Sequence, residues 1–391
     1  MKIGLFGQFG SGNTGNDGSL EAMLHVLNRI SPDAQLVCIC SSPEIITPKF
    51  RIQAVSVGQA APAQGYLRLL NKLLFNFPRR LTGFIAALTL AQGLDLIIVP
   101  GTGILDDFNE NPFGWPFAIL RWSIAARLAG ARFAFISIGA GPVTHPLSRA
   151  FIRRAALLAS HRSYRDQVSY DFMRSLGVSA RYDGVSADIA FALPVADDVL
   201  TNGADQRIGV GVMNYRGWRK NAEDGAAIYD TYLNKMARLV EGLLDQGRQV
   251  RLLIGDQGDL AAVNDLQSRL RHRDQGNVVF EPPASLQELM QQIALTDIVV
   301  ASRYHNIVCA LAMTRPAISI GYAKKNDALL NDTGLGAYCH QIETFDPQHL
   351  LEQIDQLFAC RAELVMVVER GVNIYRRRLE QQEEVLRTLL L

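Results

Sequence analysis

Short apolar runs recur along the chain, and most end in a turn rich in glycine or charge. In the first half these runs are Lys2 to Phe6, Gln35 to Cys40, Asp95 to Val99, Arg132 to Ile138 and Arg162 to Tyr164. In the second half they are Arg207 to Met213, Gln249 to Ile254, Asn277 to Phe280, Ile298 to Ala301 and Ala317 to Ile320. Runs of this length, bounded by turn residues, read as buried strands. Between them the apolar period changes to that of a helix. Ser19 to Ile30 carries Leu20, Met23, Leu24 and Leu27 on one face, and Ala226 to Gln246 carries Tyr232, Met236, Leu239 and Leu243. Further helices are expected at Gln167 to Leu176, Leu260 to Arg271 and Leu286 to Leu295, with long helical segments running to Leu391. Strands that alternate with helices predict an α/β protein with mostly parallel sheets.

Arg181 to Gly184 and Asp188 to Leu193 complete the first series. Residues 194–206, with Pro194, Asp197, Asp198, Asn202 and Gly203, read as a linker. The expected organisation is therefore a Rossmann-like domain over 1–195 and a second over 205–391 that ends in a long helix. This plan resembles the two-domain GT-B architecture of one large glycosyltransferase class, with a cleft between the halves.

The polar residues gather where strands end. Ile298 to Ala301 runs into Ser302-Arg303-Tyr304-His305, and Ala317 to Ile320 runs into Gly321-Tyr322 and then Lys324-Lys325. In an open α/β sheet this edge is where ligands bind, so a guanidinium, an imidazole and two ammonium groups there point to an anion. Three strands of the first half end in glycine turns: Gly7 to Gly18, Pro100 to Asp107, and Gly139-Ala140-Gly141-Pro142. The first suits close approach of backbone to a ligand, with helix N–H groups facing it. It lacks the strict dinucleotide spacing, and no acidic residue ends the second strand.

Composition narrows the class. The 391 residues are 48% hydrophobic and 20% charged, ordinary for a globular protein with room for two cores. Lys plus Arg total 39 and Asp plus Glu 38, so no global field favours nucleic acid or an anionic membrane. Five cysteines without regular spacing suggest neither a disulfide framework nor a metal site, and Cys38 and Cys40 are expected as buried thiols on one strand face. No metal or cofactor is expected. There is no secretory signal pattern, and the most apolar stretch, Phe84 to Pro100, is too interrupted for a span of ~20 residues. A cytoplasmic location is expected, with association at the inner membrane surface left open.

An ordered set of fragments resembles the polysaccharide pyruvyl transferase family. Gly10-Ser11-Gly12-Asn13-Thr14-Gly15 is similar to its opening glycine motif, and Gly101 to Asp106 to its second glycine turn. Ser137 to Pro142, Tyr164-Arg165-Asp166-Gln167-Val168-Ser169 and Asp188-Ile189-Ala190-Phe191 resemble later elements. Ser302-Arg303-Tyr304-His305 resembles its Arg-Leu-His signature, and Tyr322 to Lys325 its Tyr-x-x-Lys element. The resemblance covers roughly residues 1 to 335. Asn16-Asp17 stands where the family usually has Asp-Glu, and Tyr304 replaces the usual Leu.

The resemblance implies phosphoenolpyruvate as donor substrate and a nucleotide- or lipid-linked glycan as acceptor, whose hydroxyl pair receives pyruvate as a cyclic ketal. On that chemistry, Arg303 would grip donor carboxylate or phosphate, since its fork pairs with planar oxyanions. His305 would be the general acid, because imidazole can hold a proton near neutral pH. Lys325, Lys324, Arg165 and Tyr304 would complete the donor side. Gly12, Asn13, Asp17, Gly103 and Asp106 are candidates for the acceptor side. Competing readings are structural: an ion pair for Arg303, a helix-start histidine for His305, surface lysines, and a local pair with a helix cap for Arg165-Asp166. Trp115, Trp122 and Trp218 could stack on sugar, with core packing the simpler role for Trp122. A nucleotide-sugar glycosyltransferase of the same architecture and a non-catalytic glycan-assembly protein are the alternative functions.

Overall fold

A computed structural model describes residues 1–58, 77–106, 111–179, 183–195, 206–217, 224–270 and 276–391. Residues 196–205 of the expected linker, together with Asp107, Trp218 and residues 181–182, lie outside the described residues. The chain forms two compact units, each built on one parallel sheet, and both are Rossmann-like α/β units. The first comprises Met1–Ser11, Ser19–Ala192 and Arg378–Leu391; the second comprises Gly12–Gly18 and Leu193–Arg377. The division does not follow chain order, because each unit takes in a segment from the other half of the sequence.

The first unit holds a seven-stranded sheet in the order β3-β2-β1-β4-β5-β6-β7. Its strands are β1 (Lys2–Phe6), β2 (Gln35–Cys40), β3 (Gln53–Ser56), β4 (Leu96–Pro100), β5 (Arg132–Ile138), β6 (His161–Tyr164) and β7 (Gly184–Val185). All neighbours pair in parallel. Strand order reverses between β1 and β4, so the first two glycine turns flank one switch point. The core gathers Phe6, Ile97, Val99, Phe133 and Phe135 from the strands, with Ile119, Trp122, Ile152 and Met173 from the helices. Trp122 is a core residue, as the simpler reading had it, and its indole N–H donates to the Val57 carbonyl at 3.0 Å. Cys38 and Cys40 are buried and unbridged.

β5 and β6 are not in uniform register. Pairing shifts between Phe135 and Ile138, and Ser137 there has φ +54°, a left-handed value unusual for a residue with a Cβ. The backbone at that kink is held by a buried polar cluster. Ser137 N–H donates to Ser163 Oγ at 2.9 Å, Ser163 Oγ donates to Gln382 Oε1 at 2.5 Å, and Gln382 Nε2 donates back to Ser137 Oγ at 2.9 Å. Gln382 lies in the last turns of the C-terminal helix, Arg361–Leu390, and is buried. Replacing Gln382 with Leu removes a donor and an acceptor from two buried serines. It should cost about 1–3 kcal/mol of unfolding free energy in a urea titration.

The second unit holds a six-stranded sheet in the order β10-β9-β8-β11-β12-β13. Its strands are β8 (Arg207–Gly211), β9 (Gln249–Leu253), β10 (Val278–Phe280), β11 (Ile298–Ala301), β12 (Ala317–Gly321) and β13 (Cys339–Gln341). They too pair in parallel throughout. Helix Gly225–Asp245 packs Tyr232, Leu233, Met236, Leu239, Val240 and Leu243 into the core, the face read from its apolar period. Chain order here reverses between β8 and β11.

Helix Thr14–Ile30 starts within the glycine loop rather than at Ser19. Asn13 is the reason: its Oδ1 accepts from the N–H groups of Gly15 at 3.0 Å and Asn16 at 3.1 Å, as an N-cap does. Asp188 plays a similar part in the first unit, where its Oδ1 accepts from Ala190 N–H at 3.0 Å and opens the 3-10 turn Ile189–Ala192.

Candidate functional site

Of the cations singled out in the sequence, Arg303 and His305 sit at the switch point of the second sheet and Lys324 and Lys325 one strand further on, after β12. Arg303 follows β11 as the residue before helix Tyr304–Ala312, and His305 lies in that helix's first turn. Lys324 and Lys325 open helix Lys324–Asp332 directly after β12. Cations at a helix N-terminus oppose the macrodipole, so helix stability does not account for them. Two helix N-termini and these side chains together make a positive corner at the carboxyl ends of adjacent strands, suited to an oxyanion.

Arg303 is committed in part. Its Nε and Nη2 donate to Asp259 Oδ2 at 2.8 Å and Oδ1 at 2.7 Å, a bidentate pair. Asp259 is fully buried and its Oδ1 also accepts from Asn214 N–H at 2.9 Å. Burial opposes the charge on Arg303, but the bond to Asp259 outweighs it and holds the guanidinium pKa above its ordinary value. A guanidinium has five N–H groups, so the pair leaves three for other acceptors. The structural ion pair and the anion grip are thus compatible on one side chain. Asp259 orients the fork and keeps it charged.

Buried polar contacts fix the loop that carries Arg303. Ser302 Oγ lies 3.3 Å from the Tyr232 hydroxyl, and that hydroxyl accepts from Met213 N–H at 3.2 Å. Burial pushes the Tyr232 phenol up to about 12, so it stays neutral. Asn326 Nδ2 donates to the Ser302 carbonyl at 3.2 Å and to Ser319 Oγ at 3.3 Å, which ties the lysine-bearing helix to the Arg303 loop. Lys325 Nζ lies 5.5 Å from the Tyr304 ring centroid and 5.8 Å from that of Tyr322. Tyr304 is buried, and its ring meets His305 edge-on at 5.3 Å. Lys324 is exposed.

The first turn of helix Thr14–Ile30 belongs to the same unit and packs against His305. A Cβ on Gly15 would lie 1.9 Å from His305 Nδ1, so only glycine leaves room for the ring. Asn13 Nδ2 donates to Asp256 Oδ2 at 3.2 Å, while Thr14 N–H donates to the Gly255 carbonyl and Gln257 N–H to the Gly12 carbonyl. Asp17 N–H donates to the Asn13 carbonyl. The first amides of this helix are therefore engaged within the protein, which corrects the expectation that they face a ligand. Gly12 has φ +90°, a turn conformation that favours glycine. Asp17 is buried. Gly12, Asn13 and Asp17, expected on the acceptor side, are thus gathered with Arg303 and His305.

Gly103, Asp106 and Arg165 lie in the first unit. There the second and third glycine turns extend the β4–β5 pairing: Gly139 N–H donates to the Thr102 carbonyl and Gly141 N–H to that of Leu105. Arg165 is buried beside them, 3.3 Å from Asp166 and 3.4 Å from Asp188. A Cβ on Gly139 would come within 2.7 Å of its guanidinium carbon, so that glycine makes space for Arg165. Asp166 also caps helix Gln167–Ser175, accepting from Ser169 N–H at 2.7 Å as its sequence position suggests. Burial pushes the Asp188 carboxyl above its usual range, and Arg165 draws it back. Asp106 is half-buried.

Sequence reading missed Asp259, Asp256, Asn326 and Tyr232. A signal existed for the two carboxylates: Gly255-Asp256-Gln257-Gly258-Asp259 follows the end of β9, at the same sheet edge as Arg303 after β11. Among the described residues, no group of three or more His, Cys, Asp or Glu could hold a metal ion.

Comparisons agree with this architecture. UDP-GlcNAc 2-epimerase from Neisseria meningitidis, solved bound to UDP-GlcNAc, matches at 14% identity over 99% of this chain and 100% of that one, with TM-score 0.59. The corresponding epimerase from Methanocaldococcus jannaschii matches at 10% identity over 91% and 92%, also with TM-score 0.59. Anabaena HepE, in complex with UDP-glucose, matches at 16% identity over 99% and 100%, with TM-score 0.58. At such identities these likenesses speak to the fold alone. No curated protein matches the sequence. A family model described as polysaccharide pyruvyl transferase matches residues 13–324, a span that runs from the Asn13 cap through Arg303 and His305 to Lys324. The chain belongs to the polysaccharide pyruvyl transferase family.

Proposed function

We propose that the protein transfers pyruvate from phosphoenolpyruvate to two hydroxyls of a sugar, as a cyclic ketal, in the synthesis of an exopolysaccharide or cell-surface glycan. The family match across residues 13–324 carries this reading, and the cationic corner at the ends of β11 and β12 gives it chemistry. The donor presents a carboxylate and a phosphate. The N–H groups of Arg303 not engaged by Asp259 are assigned to one of them, and Lys325 with Lys324 to the phosphate. His305 delivers a proton to the methylene carbon, which becomes the methyl group. C2 then carries oxocarbenium character and one sugar hydroxyl adds there; the C2–O bond to phosphate breaks, phosphate takes the bonding pair, and C2 regains oxocarbenium character. The second hydroxyl adds to the same carbon and closes the ketal. Each hydroxyl gives up a proton, and the cations stabilise the charge on the departing phosphate.

Tyr304 is assigned to shaping the donor pocket. Arg165 is kept as a donor-anion residue, and Gly12, Asn13, Asp17, Gly103 and Asp106 as acceptor residues, on the motif resemblance. A nucleotide- or lipid-linked glycan is the proposed acceptor. Neighbours of this fold that were solved with UDP-sugars make the nucleotide-linked form the first to try.

Thermal-shift titration tests the donor. Phosphoenolpyruvate at about a hundred times its Kd should stabilise the protein by about 2.7 kcal/mol, and Arg303→Ala should remove the shift. Stabilisation by a UDP-sugar with none by phosphoenolpyruvate would favour a nucleotide-sugar glycosyltransferase instead.

A further inference from the structure

Helix Phe77–Ala91 in the first unit is apolar on both faces. Gly83, Ala87 and Ala91, four residues apart, form its buried side. A Cβ on Gly83 would lie 2.8 Å from Arg121 Nη1, so this side is closely packed. The opposite side repeats the spacing with Phe77, Leu81 and Ile85, which are 65%, 47% and 53% exposed. Phe113 beside it is 42% exposed, and the Arg80 guanidinium stacks 3.7 Å above its ring. Large apolar side chains repeated on the outer face of a helix require a partner, because water is a poor one.

The charge of this stretch of sequence indicates which partner. Residues 45–94 contain no Asp or Glu, but do contain Lys49, Arg51, Arg68, Lys72, Arg79 and Arg80. Arg68 and Lys72 lie outside the described residues. The whole chain carries a net charge of only +1, so the basic charge here is local. Arg121 beneath the helix sits below its ordinary pKa because it is buried and because Arg79 is close by. Its Nη2 donates to the Val57 carbonyl.

We propose that this face docks on an anionic lipid surface, with Phe77, Leu81 and Ile85 entering the headgroup boundary and Arg79 and Arg80 meeting lipid phosphates. The helix has 15 residues, about 22 Å at 1.5 Å per residue, against a hydrocarbon core of about 30 Å. It therefore lies in the interface rather than crossing it. Among the described residues, no helix is long and apolar enough to cross a membrane. A second copy of this chain is a poorer occupant, since a two-fold contact through this face would bring Arg79 and Arg80 against their own copies. The proposal does not depend on the identity of the donor.

Co-sedimentation of the full chain with lipid vesicles tests it. Phosphatidylcholine vesicles containing phosphatidylglycerol should bind the protein, binding should weaken as salt rises, and phosphatidylcholine alone should bind much less. Arg79→Gln with Arg80→Gln should lower affinity about twenty-fivefold, taking each arginine at about fivefold. Phe77→Ser with Leu81→Ser and Ile85→Ser should lower it at least about tenfold. Phe77, Leu81, Ile85 and Arg79 are exposed, whereas Arg80 is half-buried over the Phe113 ring, so the apolar variant should keep the parent's melting temperature, the arginine variant should lose at most the stacking of Arg80, and both should keep stabilisation by phosphoenolpyruvate. A parent protein that stays in the supernatant, or variants that bind like the parent, would overturn the proposal. So would a concentration-dependent dimer that the apolar variant abolishes, which would assign the face to a second copy.

Discussion

Asp259→Ala should cost about 3 kcal/mol of unfolding free energy and most of the turnover. The carboxylate is fully buried, and its removal strands both the Arg303 fork and the Asn214 N–H. Breaking a buried ion pair costs about 3–5 kcal/mol. The lower end applies because the Arg303 side chain keeps 18% exposure and can recruit water. A second substitution separates stability from function. Asp259→Leu combined with Arg303→Met replaces the pair by apolar groups of similar size and should recover most of the lost stability. It should recover none of the activity, since the proposed anion grip is gone. Urea unfolding and phosphate release on the same preparations read the two effects separately. An Asp259→Ala protein with parental turnover would show that Arg303 needs no orienting partner.

Gly15→Ala should be nearly as damaging to catalysis as removing His305 itself. The added methyl would stand 1.9 Å from His305 Nδ1, so the imidazole must leave its position. The φ of Gly15 is not left-handed, and backbone strain does not enter. A displacement of about 1 Å in a catalytic group costs about a hundredfold. Loss of a general acid costs about 10²–10⁴-fold, the fall expected in kcat for His305→Ala. In the His305→Ala background the Gly15→Ala change should be nearly silent, because the ring it displaces is already absent. There it should even stabilise the helix by about 0.5–1 kcal/mol through backbone entropy. Additive losses in that double-mutant cycle would separate the glycine from the imidazole.

These two sites show what the sequence makes legible and what it hides. Continuous apolar runs marked most strands well: β1, β2, β5 and β11 coincide with the expected ranges, β4, β6, β8, β9, β10 and β12 differ by a residue or two at their ends, and the short edge strands β3 and β13, which lack an apolar run, were not expected. Burial on both faces leaves little ambiguity in such runs. The cations were legible because they follow strand ends directly. Their counterpart was not: Asp259 is 44 residues from Arg303 in sequence, and only the parallel order β9-β8-β11 brings them together. Glycine proved an ambiguous sign. Gly15 lies in the turn read as a ligand approach and Gly139 in the third glycine turn, yet each makes room for a side chain of the protein, His305 and Arg165 respectively. Asn13 read as a candidate for sugar hydroxyls, and its amide caps a helix and reaches Asp256, 243 residues away. No local pattern encodes a contact of that separation. It also places residues 12–18 with the second unit.

The methylene carbon of phosphoenolpyruvate carries the record of the proposed transfer. Incubating the protein with phosphoenolpyruvate and a UDP-linked or lipid-linked glycan in D₂O, and resolving the product by mass spectrometry and NMR, follows that carbon directly. The expected result is one phosphate released per acceptor, a pyruvate ketal bridging two sugar hydroxyls, and a single solvent deuteron in its methyl group. The signal should be lost in Arg303→Ala and strongly reduced in His305→Ala. Phosphate release without any ketal, or a ketal formed equally well by both variants, would contradict it.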